Sequence, residues 1–222
     1  MKETLGTLRV LNDGRKFRYA RAGASALAAG KLNVAADVAA AHANEAILAA
    51  VAIGTKVISL TVTVGTAIAA NELKGGAFQI NDGTGEGYSY GIEANTAISA
   101  SGTAISITIK EGIKVALDTT SEFTLVHSPW NDVVEGTALG AAAGVPVVAV
   151  PATYYFWDQV SGLAIGLMGG AVALGSALMQ DNAGVAGAMI IMTAGAVVPQ
   201  VGYVHGFAGV DTEYQPVILT IA

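Results

Sequence analysis

From Lys56 onward, apolar and polar side chains alternate with a period of two. Ile58, Leu60, Val62 and Val64 alternate with Ser59, Thr61 and Thr63, the pattern of a strand with one buried face and one wet face. Phe78 and Ile80 precede Asn81-Asp82-Gly83-Thr84-Gly85-Glu86-Gly87, and Tyr88, Tyr90 and Ile92 follow in alternation, which predicts a hairpin closed by a glycine-rich turn. Ile105, Ile107 and Ile109 then alternate with Ser106, Thr108 and Lys110, and Phe123, Leu125 and His127 add a further short strand. Together these elements predict a first β-domain over residues 55–128.

The pattern then changes. Residues 129–152, with Gly140, Gly144, Pro146 and Pro151, read as a connector. The aromatic cluster Tyr154-Tyr155-Phe156-Trp157 opens a second unit over 153–222, where glycines at 162, 166, 169, 170, 175, 184, 187 and 195 punctuate short apolar runs such as Met189-Ile190-Ile191-Met192. Short strands between frequent turns predict a small barrel or sandwich, with Tyr155, Phe156 and Trp157 as its core or oligomer anchors. Val160–Met179 is twenty residues without a charge, long enough for a membrane helix. Asp158 and Asp181 bracket it, no Lys or Arg flanks it and it holds five glycines, so a membrane span is set aside.

Ahead of both units, Arg15, Lys16, Arg18 and Arg21 bracket Phe17 and Tyr19, which suggests an extended strand with charge on one side and rings on the other. The Ala-rich residues 33–52 score as helix on propensity but lack a polar face at helical spacing, and suit an extended linker as well. The predicted fold is therefore mainly β. Two small β-barrel or sandwich units follow an extended basic N-terminal arm and Ala-rich linker occupying residues 1–54.

Composition sharpens this picture. Glycine is abundant at 28 residues, aromatics are few, and the absence of cysteine excludes disulfides, thiolate chemistry and Cys-ligated zinc. The net charge of −6 is unevenly spread. Residues 1–31 hold seven basic and two acidic side chains, a net +5, whereas after Lys114 there are eight acidic side chains and no Lys or Arg. Such polarity suits docking of the arm on an acidic surface, for which Arg15, Lys16, Phe17, Arg18, Tyr19 and Arg21 are the candidate residues. No apolar leader follows Met1-Lys2-Glu3-Thr4-Leu5, so nothing there directs export.

Candidate chemistry is sparse. The Gly83-x-Gly85-x-Gly87 run precedes a predicted strand, whereas a phosphate cradle needs a helix N-terminus at that point. His42, His127 and His205 lie at no metal-ligand spacing, and Ser128 beside His127 would point to the opposite strand face from it. The expectation is a non-enzyme without metal or cofactor.

The ordered motifs resemble the head decoration, or capsid cement, proteins of tailed bacteriophages, over nearly the whole chain. The likeness runs through Asp13-Gly14-Arg15-Lys16-Phe17-Arg18-Tyr19, Ala22-Gly23, Gly30-Lys31-Leu32, His42-Ala43-Asn44, the strand near Val57 and Asn81-Asp82-Gly83-x-Gly85-x-Gly87-Tyr88-x-Tyr90-x-Ile92. It continues through Tyr155-Phe156-Trp157-x-Gln159, Gly169-Gly170, Gly175 ahead of Leu178-Met179, Val201-Gly202 and Val217-Ile218-Leu219. It departs at Asp158 and at Gly162-Leu163, where the family pattern has an uncharged residue and a Gly-Pro turn. The resemblance implies a homotrimeric protein of the capsid exterior, made in the host cytoplasm, that binds the major capsid protein and stabilises the shell, with no nucleic-acid or membrane partner. The competing expectation is a head fibre or glycan- and host-binding β-module.

Overall fold

A computed structural model describes residues 2–137, 140–182, 184–193, 195 and 198–221. It is almost all β, with 43% strand and no α-helix among the described residues. The chain opens with β1 (Leu8–Val10), β2 (Lys16–Arg21) and β3 (Asn33–Val34). A 3-10 turn at Ala40–His42 leads into β4 (Glu45–Ala46), β5 (Val57–Thr61), β6 (Ala77–Asp82), β7 (Ser89–Asn95), β8 (Ala104–Ile109) and β9 (Glu122–Val126). The remainder holds β10 (Val134–Glu135), β11 (Ala142–Pro146), β12 (Tyr155–Leu167), β13 (Ala177–Gln180), β14 (Met189–Ile191), β15 (Gln200–Val204) and β16 (Tyr214–Thr220). The two sheets are curled, one into a half-barrel and the other into a nearly closed barrel, so the expected mainly β architecture of two barrel-like units is what forms.

The units divide the chain differently from the sequence reading. One comprises residues 1–36 with 129–222, and the other residues 37–128. The basic arm is not free, because β2 pairs with β12 from Tyr155↔Arg21 to Ser161↔Lys16. Nor are residues 129–152 a mere connector, since β10 and β11 pair with β3, and β11 pairs with β12. The pairings of β2 with β12 and of β3 with β10 and β11 join segments a hundred residues or more apart, which local periodicity does not register. The Ala-rich stretch contributes β3, the 3-10 turn and β4 instead of an α-helix. Its backbone groups find partners across the fold, as where Ala35 N–H donates to the Ala141 carbonyl and Ile47 N–H to that of Ser121.

In the 37–128 unit the sheet order is β4-β9-β6-β7-β8-β5, all antiparallel. The period-two pattern acts as expected: Ile58, Leu60, Phe78, Ile80, Tyr90, Ile92, Ile105, Ile107, Ile109, Phe123 and Leu125 all point into one core. Val64 lies beyond β5 and is exposed. The β6–β7 turn needs its glycines: Gly83, Gly85 and Gly87 all have positive φ, and a Cβ at Gly83 would collide with the Thr120 carbonyl. Asn95 adds a polar staple, accepting from Leu73 N–H at 2.9 Å and donating to the Ala69 and Thr96 carbonyls.

At the centre of this core, Phe78 packs on Phe123 with ring centroids 5.6 Å apart, both rings fully buried. Replacing Phe78 by Ala should therefore cost about 3–5 kcal/mol of stability. Equilibrium denaturation checks this, and a loss below about 1 kcal/mol would contradict the assigned packing.

Candidate functional site

The segment Lys16-Phe17-Arg18-Tyr19-Ala20-Arg21 is a strand, so alternate side chains leave on opposite faces. Its register with β12 decides what each face meets. Tyr19 lies opposite Trp157, Arg21 opposite Tyr155 and Phe17 opposite Gln159, while Arg18 lies opposite Asp158 and Ala20 opposite Phe156.

On the first face the rings form a ladder. Tyr19 stacks on Tyr155 with centroids 5.8 Å apart and meets Trp157 at 5.1 Å. The Arg9 guanidinium covers the Trp157 ring at 5.6 Å and that of Arg15 covers Phe17 at 5.8 Å, contacts that add cation–π attraction to apolar burial. Phe17 and Tyr19 are thereby buried by their own chain and are not presented to a partner. Tyr155 stays partly exposed and Trp157 is half-buried, while Phe156 turns inward to a core with Ala20, Ala22, Leu27, Val133, Ala143 and Val150.

Two of the candidate docking cations are likewise engaged internally. Arg18 lies 5.0 Å over the Trp130 ring, and its Nη1 donates to the Gly6 carbonyl at 2.9 Å. Arg21 pairs with Asp132 at 2.6 Å, both side chains about a quarter exposed. The cations left at the surface of this segment are Lys2 and Arg9, which are exposed, with Arg15 and Lys16, which are half-buried. Arg15 forms an exposed pair with Asp13 at 2.7 Å. The Arg15 backbone N–H, and then its guanidinium, hold the Asp13 carboxyl below its ordinary value. A pair this open contributes little to stability.

Asp158 is a residue that sequence reasoning did not single out for a site. It shares a strand face with Phe156 and Val160, two residues to either side, and all three are buried. Asn33 Nδ2 donates to Asp158 Oδ2 at 3.1 Å, and the missing side chain of Gly144 makes the space, since a Cβ there would lie 2.6 Å from the carboxyl carbon. Burial pushes the Asp158 carboxyl up to about 7, the Asn33 hydrogen bond opposing it. The signal was present in the alternation, because a charge at the i+2 position between apolar residues faces where they face.

Gly162 also departs from expectation. No turn forms there. Strand β12 runs unbroken through thirteen residues, with a register shift against β2 between Gln159 and Ser161, and Gly162 takes φ +88° where a Cβ would press on Arg15. Of the histidines, His42 is buried, and burial lowers its pKa below the ordinary imidazole value against the opposing Thr66 backbone hydrogen bond. His205 lies exposed just after β15.

No protein-family model, no curated protein and no solved structure matches this chain.

The buried carboxyl fixes a pH dependence. Its folded-state pKa lies above the ordinary value of 3.8, so its contribution to stability is full below about pH 4, erodes as pH rises through about 7, and is gone above that. The loss amounts to at most about 4 kcal/mol, three pKa steps of about 1.4 kcal/mol each. Thermal melts of the wild type and Asp158→Asn from pH 4 to 8 should converge at the acid end and favour the variant at the alkaline end. A difference independent of pH would show that Asp158 does not carry this proton.

Proposed function

We propose that this chain is a structural virion protein that decorates the outside of a tailed-phage capsid and stabilises the assembled shell as a homo-oligomer bound to the major capsid protein. The observation that carries this reading is the β1–β2 hairpin, which places Arg9, Arg15 and Lys16 at the surface of a segment pinned to β12. The resemblance of the ordered sequence motifs to head decoration proteins supports it from an independent direction.

The physical mechanism is mass action. A protein that binds only the assembled shell adds its binding free energy to that state, and the shell then resists opening by the same amount. Repetition over a symmetric surface lets individually modest contacts suffice. A hairpin held by six registered residue pairs keeps its cations in place, so little chain entropy is lost on docking. Electrostatic complementarity of this kind acts chiefly on encounter rate and orientation.

A second reading, a head fibre or glycan-binding module, draws on Tyr154 and Tyr155, both exposed at the start of β12. Aromatic side chains open to solvent suit sugar faces as well as protein contacts. Saturable glycan-array binding that Tyr154→Ala abolishes would favour that reading over cementing.

Replacing Arg9, Arg15 and Lys16 together by Gln should weaken binding to purified capsids about tenfold or more at low salt and flatten its salt dependence. Sedimentation of capsid-bound protein over a salt series measures both. Unchanged affinity together with an unchanged salt slope would remove the hairpin from the docking role.

A further inference from the structure

Strands β12, β16, β15 and β13 are adjacent in their sheet, and apolar side chains dominate their inward face: Leu178, Val201, Val204, Val217 and Leu219 are all buried, with Gln215 buried among them. Most of their outward side chains are apolar as well, the polar pair Ser161–Thr220 at one end excepted. The register places Leu163 opposite Ile218, Ile218 opposite Tyr203 and Tyr203 opposite Ala177, an unbroken cross-strand row over four strands. Ile165 lies opposite Pro216 in the next outward row, and Tyr214 packs beside Ile165 across Gly30. Leu163 and Ile165 are 52% and 51% exposed, Tyr203 and Tyr214 are 43% and 44% exposed, and none of the four strands carries a charge from Ser161 onward. An antiparallel sheet with one face in water alternates apolar with polar side chains. This one does not.

We propose that this outward face, centred on Leu163, Ile165, Tyr203, Tyr214 and Ile218, is where a second copy of the chain docks. The inference deepens the self-associating reading given above and rests on it. The size of the face fits that occupant. Its side chains present on the order of 400 Å² of mainly apolar surface, about half of the ~800 Å² that one partner contributes to a standard interface. The remainder falls to a polar rim, and Arg15 stands at that rim beside Leu163 and Ile165. Two tyrosines beside branched aliphatics form the type of central anchor that dominates association energy.

Two other occupants fit less well. A bilayer needs strands of roughly 9–11 residues to cross it, whereas β16 has 7, β15 has 5 and β13 has 4. The cleft at the border of the face, between Arg15, Pro146, Leu163 and Ile165, has a volume of about 230 Å³. That is below the roughly 300–1,000 Å³ of small-molecule sites. It is of a size to seat a side chain from the facing copy.

The test is light scattering coupled to size-exclusion chromatography on the full chain at micromolar concentration, comparing wild type with Leu163→Glu/Ile165→Glu. The wild type should elute as an oligomer and the double variant as a monomer, with the far-ultraviolet dichroism of both alike. Should the charged variant misfold, Tyr203→Ala serves instead, with association expected at least tenfold weaker. A variant that keeps the wild-type mass would overturn this interface while leaving the self-associating reading intact. A wild type that stays monomeric would overturn both. Flotation of a monomeric wild type with phosphatidylcholine vesicles, lost in the double variant, would assign the face to lipid and equally overturn the proposal.

Discussion

The 129–222 region and the chain's first thirty-six residues are one folding unit because β12 requires it. A thirteen-residue strand has backbone donors and acceptors along two edges and side chains on two faces, and each must be satisfied where it is buried. Strands β2, β11 and β16 supply the hydrogen bonds, with Ser161 registered to Lys16 of β2 and to Thr220 of β16. The two cores of this unit both take side chains from β12 or from strands it pairs with. The segment expected as an extended basic arm is thereby part of the sheet, and its Arg18 and Arg21 are held by groups of their own unit.

Asp158 shows how the same strand accommodates a charge that does not belong. An uncharged residue at this position was the expectation drawn from a resemblance in the sequence alone. Burial next to Asn33 and opposite the bare backbone of Gly144 supplies one by other means, because a carboxyl titrating near neutrality is uncharged across the acid range.

Residues 55–128 were legible from sequence because their strands are half wet. Ile58-Ser59-Leu60-Thr61 and Ile105-Ser106-Ile107-Thr108 alternate, and alternation reports which face is buried. In the other unit the signal fails for a physical reason: the outward positions Leu163, Ile165 and Ile218 are as apolar as the inward Val217 and Leu219, so no period appears. Phe17 and Tyr19 were correctly placed on one strand face, but the sequence held nothing to say that Trp157, some 140 positions later, would cover them. The inward turn of Arg18 onto Trp130 was equally hidden, since a long cationic side chain can bury its stem wherever its head finds an acceptor. Helix propensity in the Ala-rich stretch lost to tertiary pairing, as weak local preferences do.

The segment 37–128 interrupts the chain of a unit whose halves need each other. During synthesis, which proceeds from the N-terminus at roughly 5–20 residues per second, β2 and β3 emerge well before β10, β11 and β12 exist to receive them. The inserted unit, whose strands all pair among themselves, has everything it needs to fold as soon as residue 128 clears the ribosome. For that interval β2 is a strand without its β12 partner, its Phe17 and Tyr19 uncovered. The cations in and beside it, Arg15, Lys16, Arg18 and Arg21, are then a protective feature, because charge on an unpaired edge discourages it from pairing with the wrong chain.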